Sequence, residues 1–83
     1  MLVPLTIYYT DETTTTRVRS TLDLARVTWV YSHPNPVEPD IPCFTVIADG
    51  EEVMALGSYT KFVALWEKFK KGDNSLLIQF SKN

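Results

Sequence analysis

Between Ser32 and Asp40 the chain carries three prolines in nine residues, Pro34, Pro36 and Pro39. Each proline fixes its own φ at about −65° and has no backbone N–H. Each also biases the residue before it toward extended backbone. No regular helix runs through such a segment, so it reads as an extended loop. It is not a linker between domains, because 83 residues leave too little chain on either side to bury a core alone. The whole chain, 1–83, therefore reads as a single domain, and the proline loop joins two halves of one fold.

Local signals give the elements on each side. Leu2 to Tyr9 is aliphatic, aromatic and β-branched and reads as a strand, with Pro4 near its start, where a missing N–H does least harm. In the stretch 13–25, Val18, Leu22 and Ala25 recur at i, i+4 and i+7, which predicts an amphipathic helix. The threonine run Thr13 to Thr16 opposes it, so regular helix is expected only from about Thr16. Val27 to Tyr31, Cys43 to Ala48 and Glu52 to Leu56 read as strands. Asp49-Gly50 between the last two is a type I′ hairpin signal. After Gly57, Ser58 or Thr60 caps a helix running to about Lys71, with Phe62, Leu65, Trp66 and Phe69 on one face. A short final strand, or an apolar tail packing on the sheet, is expected over 75–80.

Composition excludes several classes of function. A net charge of −2 and a pI near 5.2 argue against a general nucleic-acid binder. No apolar run reaches the roughly 18–20 residues that span a bilayer. The segment Met1 to Leu5 has neither the basic region nor the cleavage site of a signal peptide. Cys43 is the single cysteine, which forbids an internal disulfide and fits a reducing cytoplasm.

The order β-α-β-β-β-α resembles a minimal thioredoxin-like domain, closest to small glutaredoxins. Ile41-Pro42 opens a strand, Asp49-Gly50 turns a hairpin eight residues after Ile41, and Gly57 and an amphipathic helix follow. This part of the resemblance covers about a third of the chain. Tyr9-Thr10-Asp11 and Leu22-Asp23 are similar to the glutaredoxin opening and first helix. The resemblance implies an α/β fold: a four-stranded mixed sheet with two helices, here with an extra C-terminal strand. It further implies a cis Ile41–Pro42 bond and a docking face where the first loop meets the cis-proline loop. The chain departs from the family where Cys-x-x-Cys belongs, because Thr13-Thr14-Thr15-Thr16 stands there instead.

Dithiol exchange needs a thiolate at a helix N-terminus and usually a resolving partner. Threonine hydroxyls supply neither. Cys43 is the one reactive candidate, against the ordinary fate of a free cysteine as a small buried hydrophobe. His33, with Glu38 and Asp40 nearby in sequence, falls short of a metal set, which needs three or four convergent ligands. Neither a metal nor a cofactor is expected. Trp29 and Trp66 read as core.

These features lead to the expectation of a redox-inactive, thioredoxin-like accessory module that binds a protein partner. The resemblance suggests the kind of small accessory protein that a bacteriophage carries. The expected binding residues are Thr13, Thr14, Thr15, Thr16, His33, Ile41 and Pro42, on a face that also includes the loop from Pro34 to Pro39. One alternative is a monothiol enzyme or sensor using Cys43. Another is an assembly subunit that pairs through its C-terminal strand.

Overall fold

The computed structural model describes residues 1–72. Strand β1 (Leu2–Thr10) turns back into β2 (Thr15–Asp23). A single 3-10 turn at Leu24–Arg26 leads into β3 (Val27–Ser32). The proline loop follows, then β4 (Cys43–Ala48), β5 (Glu51–Leu56) and one helix, α1 (Tyr59–Lys70). The strand order is β2-β1-β5-β4-β3, and every neighbouring pair is antiparallel. The expected final strand over 75–80 lies outside the described residues.

This architecture overturns the thioredoxin-like expectation of a four-stranded mixed sheet with two helices. The error lies in the stretch expected as the first helix. Val18 and Leu22 are four apart, and a spacing of four fits one helical face and one strand face alike. The neighbouring residues decide between them. Thr16, Val18, Ser20 and Leu22 alternate with Thr15, Arg17, Arg19 and Thr21, which is the period of a strand. The β-branched threonines favour the same outcome. The full ladder from Leu2–Asp23 to Thr10–Thr15 then forms as one long hairpin. The Ile41–Pro42 bond is trans, since no described peptide bond is cis. Instead of marking a redoxin loop, Pro42 ends the proline loop, and its carbonyl accepts from the Gly57 N–H at 2.9 Å.

β2 and β3 are opposite edges of the sheet, yet only Leu24–Arg26 separates them. In a flat sheet, four strand spacings would hold those edges about 19 Å apart. Four Cα steps reach at most about 14 Å. The sheet must therefore coil, which carries the β1–β2 hairpin over the β3–β4–β5 meander. A small cavity of about 70 Å³ between them is lined by Leu5, Ile7 and Leu22 from the hairpin and by Val46 and Val53 from the meander. Arg26 pins the junction, reaching Asp49 at 3.0 Å and Asp23 at 3.9 Å.

Inward residues make the core: Val3, Leu5, Leu24, Val27, Phe44, Val46 and Ala55. Helix α1 lays Phe62 and Leu65 onto it, with Tyr59, Trp66 and Phe69 at the margin. The Phe44 and Phe62 rings sit 4.9 Å apart at 33°, an offset pairing. Ser58 is the N-cap, its hydroxyl accepting from the Lys61 N–H at 3.2 Å. Asp49 and Gly50 both have positive φ, 52° and 79°, as the hairpin between β4 and β5 requires. Trp29, expected in the core, is 63% exposed, because it points away from α1 on the outer face of β3.

Candidate functional site

Cys43 and Thr45 alternate along β4 with the core residues Phe44 and Val46, so they face away from α1. Both are nonetheless buried. The cover is the proline loop, residues 33–42, which folds back over the outer face of the sheet as a strap. Four prolines, Pro34, Pro36, Pro39 and Pro42, stiffen it and lie exposed along it.

Asn35 holds the strap from beneath. It is 5% exposed, and each hydrogen-bonding position of its amide is used. Its Oδ1 accepts from the Val37 and Glu38 N–H groups at 2.8 and 2.9 Å, which is an Asx turn around Pro36. Its Nδ2 donates to the Tyr8 hydroxyl at 2.9 Å and to the Ile41 carbonyl at 3.0 Å. The Tyr8 hydroxyl in turn donates to Glu38 Oε1 at 2.8 Å. Arg17 closes the network on Glu38. The Ile41 N–H returns to the Glu38 carbonyl at 2.9 Å.

The electrostatics follow from these contacts. Hydrogen bonding from Arg17, and then from Tyr8, holds the Glu38 carboxyl below the ordinary glutamate value. Desolvation, opposed by Asn35 and reinforced by Glu38, raises the Tyr8 phenol. Tyr8 therefore stays a neutral donor to Glu38.

At the other end of the strap, His33 lies with its ring 5.4 Å from Tyr31. Its Nδ1 is 2.8 Å from the Pro34 carbonyl, and its Nε2 is 2.6 Å from Thr45 Oγ1. A carbonyl only accepts, so Nδ1 carries the proton and, in the neutral ring, Nε2 accepts from the threonine hydroxyl. The Cys43 sulfur lies 3.9 Å from that same Nδ1 and 3.7 Å from the His33 carbonyl. A protonated Nδ1 cannot take the thiol proton. Burial also pushes the Cys43 thiol up. This neighbouring pair is thus arranged against thiolate formation.

A shallow groove of about 490 Å³ runs along the strap to the start of α1, between Pro34, Ile41, Pro42 and Tyr59, with His33 and Cys43 at its floor. Of the residues expected from sequence, His33, Ile41, Pro42 and Cys43 line this groove together. Thr13 and Thr14 form the turn between β1 and β2, and Thr15 and Thr16 begin β2. The Asp11 N–H donates to the Thr14 carbonyl at 2.8 Å, and the Thr10 and Thr15 hydroxyls meet at 3.1 Å. These threonines are exposed and none of them lines the groove, though Arg17, one residue on, grips the strap.

Sequence reasoning missed Tyr8 and Arg17, and it placed Asn35 and Glu38 in the loop without giving either the role of holding it. The segment Asn35-Pro36-Val37-Glu38 did carry a signal, since an asparagine before proline is a frequent Asx-turn former. Among the described residues, no three His, Cys, Asp or Glu side chains converge as a metal set, and no helix is long and apolar enough to cross a membrane. Comparison with protein-family models, curated proteins and solved structures found no match.

Proposed function

We propose that this chain is a small binding module that holds a protein partner on its proline strap. The observation that carries the reading is the burial of Asn35 beneath a loop whose apolar side chains face outward. Pro34, Pro36, Val37 and Pro39 are exposed, while the loop backbone is tied at Val37, Glu38 and Ile41 to the Asn35 amide, at Ile41 to Glu38 and at Pro42 to Gly57, and Asn35 is itself anchored to the Tyr8 hydroxyl. A loop fixed before binding loses little entropy on binding. Loops on a rigid scaffold are the usual carriers of recognition. The adjoining groove suits an apolar or aromatic side chain from an extended partner segment.

Catalysis by Cys43 is the competing reading. Its thiol lies beside an imidazole, but burial and the tautomer of His33 both favour the neutral thiol. The binding reading accounts for the whole strap, and the thiol reading uses one atom of it.

The test is capture of the partner from native host lysate with the tagged full chain. Val37→Asp is expected to abolish capture and Asn35→Ala to weaken it. Glu52→Lys, on the distal hairpin, is expected to leave it intact. Capture that survives Val37→Asp and Asn35→Ala places the binding face elsewhere.

A further inference from the structure

The two edges of the sheet are guarded differently. β2 sets Arg17 and Arg19 among its outward residues, and charge at an edge discourages pairing with another chain. β3, the opposite edge, has no charged residue from Val27 to Ser32. Thr28, Trp29, Tyr31 and Ser32 are all exposed on it. Trp29 and Tyr31 share the outer face, and both are exposed large hydrophobic residues, at 63% and 37%. No described strand pairs with the far side of β3.

We propose that β3 is a self-association edge, on which two copies of this chain pair antiparallel about a twofold axis at Val30. The sequence of the strand favours a second copy as the occupant. A twofold antiparallel pairing places each residue against its mirror position and the axial residue against itself. The axial residue here is the uncharged, half-buried Val30. Its two neighbours on the outer face then fall across from each other, Trp29 of one copy against Tyr31 of the other, twice. Aromatic cross-strand pairs of this kind stabilise antiparallel sheets. The flanking charge does not oppose the pairing. Arg26 falls opposite Pro34 and is already held by Asp23 and Asp49. The net charge of −2 per chain adds little repulsion.

The register irregularity between Val27 and Trp29, with the Thr28 hydroxyl turned onto the Ile47 carbonyl at 3.2 Å, ends the regular edge on one side. The paired stretch is therefore short and the dimer weak. In this register only Ser32, His33 and Pro34 at one end of the groove fall opposite residues of the other copy, so Pro36, Val37 and Pro39 of the binding reading above stay outside the pairing.

Sedimentation equilibrium of the full chain from about 10 µM to about 1 mM tests it, the range suited to an interface under about 1,200 Å². A reversible monomer–dimer equilibrium is expected. Trp29→Lys and Tyr31→Lys are each expected to raise the dissociation constant at least about tenfold, by adding charge to the edge. Their far-ultraviolet circular dichroism should match the parent chain, since both residues are exposed. A Trp66→Phe chain leaves Trp29 as the sole tryptophan. Its acrylamide quenching is expected to fall as concentration rises. A monomer at every concentration overturns the proposal. So does a dimer that survives both lysine variants, and so does a Trp29 that is shielded equally at all dilutions.

Discussion

Arg17 and Glu38 meet in a two-pronged ion pair, Arg17 Nε to Glu38 Oε1 at 2.9 Å and Nη2 to Oε2 at 2.6 Å. One partner lies on β2 and the other on the strap, 21 residues apart in sequence. The pair ties the first hairpin to the loop that follows the second edge of the sheet. Its geometry is the planar fork that arginine offers to a carboxylate.

This pair sets an acid limit. The folded-state value of Glu38 lies below its ordinary 4.5, through Arg17 first. Asp23 lies below its ordinary 3.8, chiefly because it accepts from the Ala25 N–H. For a depressed carboxyl, the stabilisation is present above the unfolded value and is lost as pH falls through the folded value. The thermal midpoint is therefore expected to hold from about pH 7 to about pH 5 and to drop below about pH 4.5. Melts of Glu38→Gln across that range should show a shallower drop, with the part due to Asp23 remaining. An unchanged slope would mean that the ion pair contributes nothing to stability.

Asn35→Ala removes both donors and both acceptor contacts of a buried amide. The Val37 and Glu38 N–H groups and the Ile41 carbonyl lose their partner, at a cost of about 1–3 kcal/mol. Urea unfolding measures the loss. Hydrogen exchange at Val37 and Glu38 should accelerate more than exchange in β4, because the strap loosens before the sheet.

Cys43 is expected to react with a thiol reagent at least about tenfold more slowly in the folded chain than in urea, because burial and the strap both withhold the thiolate. Stopped labelling with mass detection gives both rates. Asn35→Ala should bring them closer together by uncovering the sulfur. Equal rates in the parent chain would show that the strap stands open in solution.

Phe62→Ala empties the contact beneath α1 against Phe44. A buried phenylalanine truncated in this way costs about 3–5 kcal/mol. Against a total on the order of 5 kcal/mol for a domain of this size, that leaves about 0–2 kcal/mol, so the variant is expected to be marginally folded with a substantial unfolded fraction. Phe62→Leu keeps most of the volume and serves as the folded reference in the same urea series.

Where local chemistry decides structure, the chain was readable. The strand over Cys43–Ala48, the Asp49-Gly50 turn and the apolar face of α1 all follow from neighbouring residues, and Ser58 is one of the two caps those residues offer. The error at Thr13 to Ala25 has a physical origin. Val18 and Leu22 satisfy two periods at once, and only the company of alternating threonine and arginine separates them. Placing Trp29 failed for another reason, since a strand run of apolar residues does not say which face α1 will cover. His33, Ile41, Pro42 and Cys43 were legible as neighbours of one loop. Tyr8 and Arg17 were not, because the coiling of the sheet is what carries them to it, and no local pattern announces a coil.

That coiling also fixes an order of assembly. The first hairpin and the β3–β4–β5 meander are each built from strands close together in sequence, which form quickly. They are stitched to each other as sheet only at Thr6–Leu56 and Ile7–Ala55. Sequence separations of about fifty residues make this the slowest and last closure. A molecule built this way has a seam, and the seam sets which amides exchange first. Thr6 and Ile7 on one side, and Ala55 and Leu56 on the other, are expected to part before either half unravels, which native-state hydrogen exchange would read as two stitched leaves.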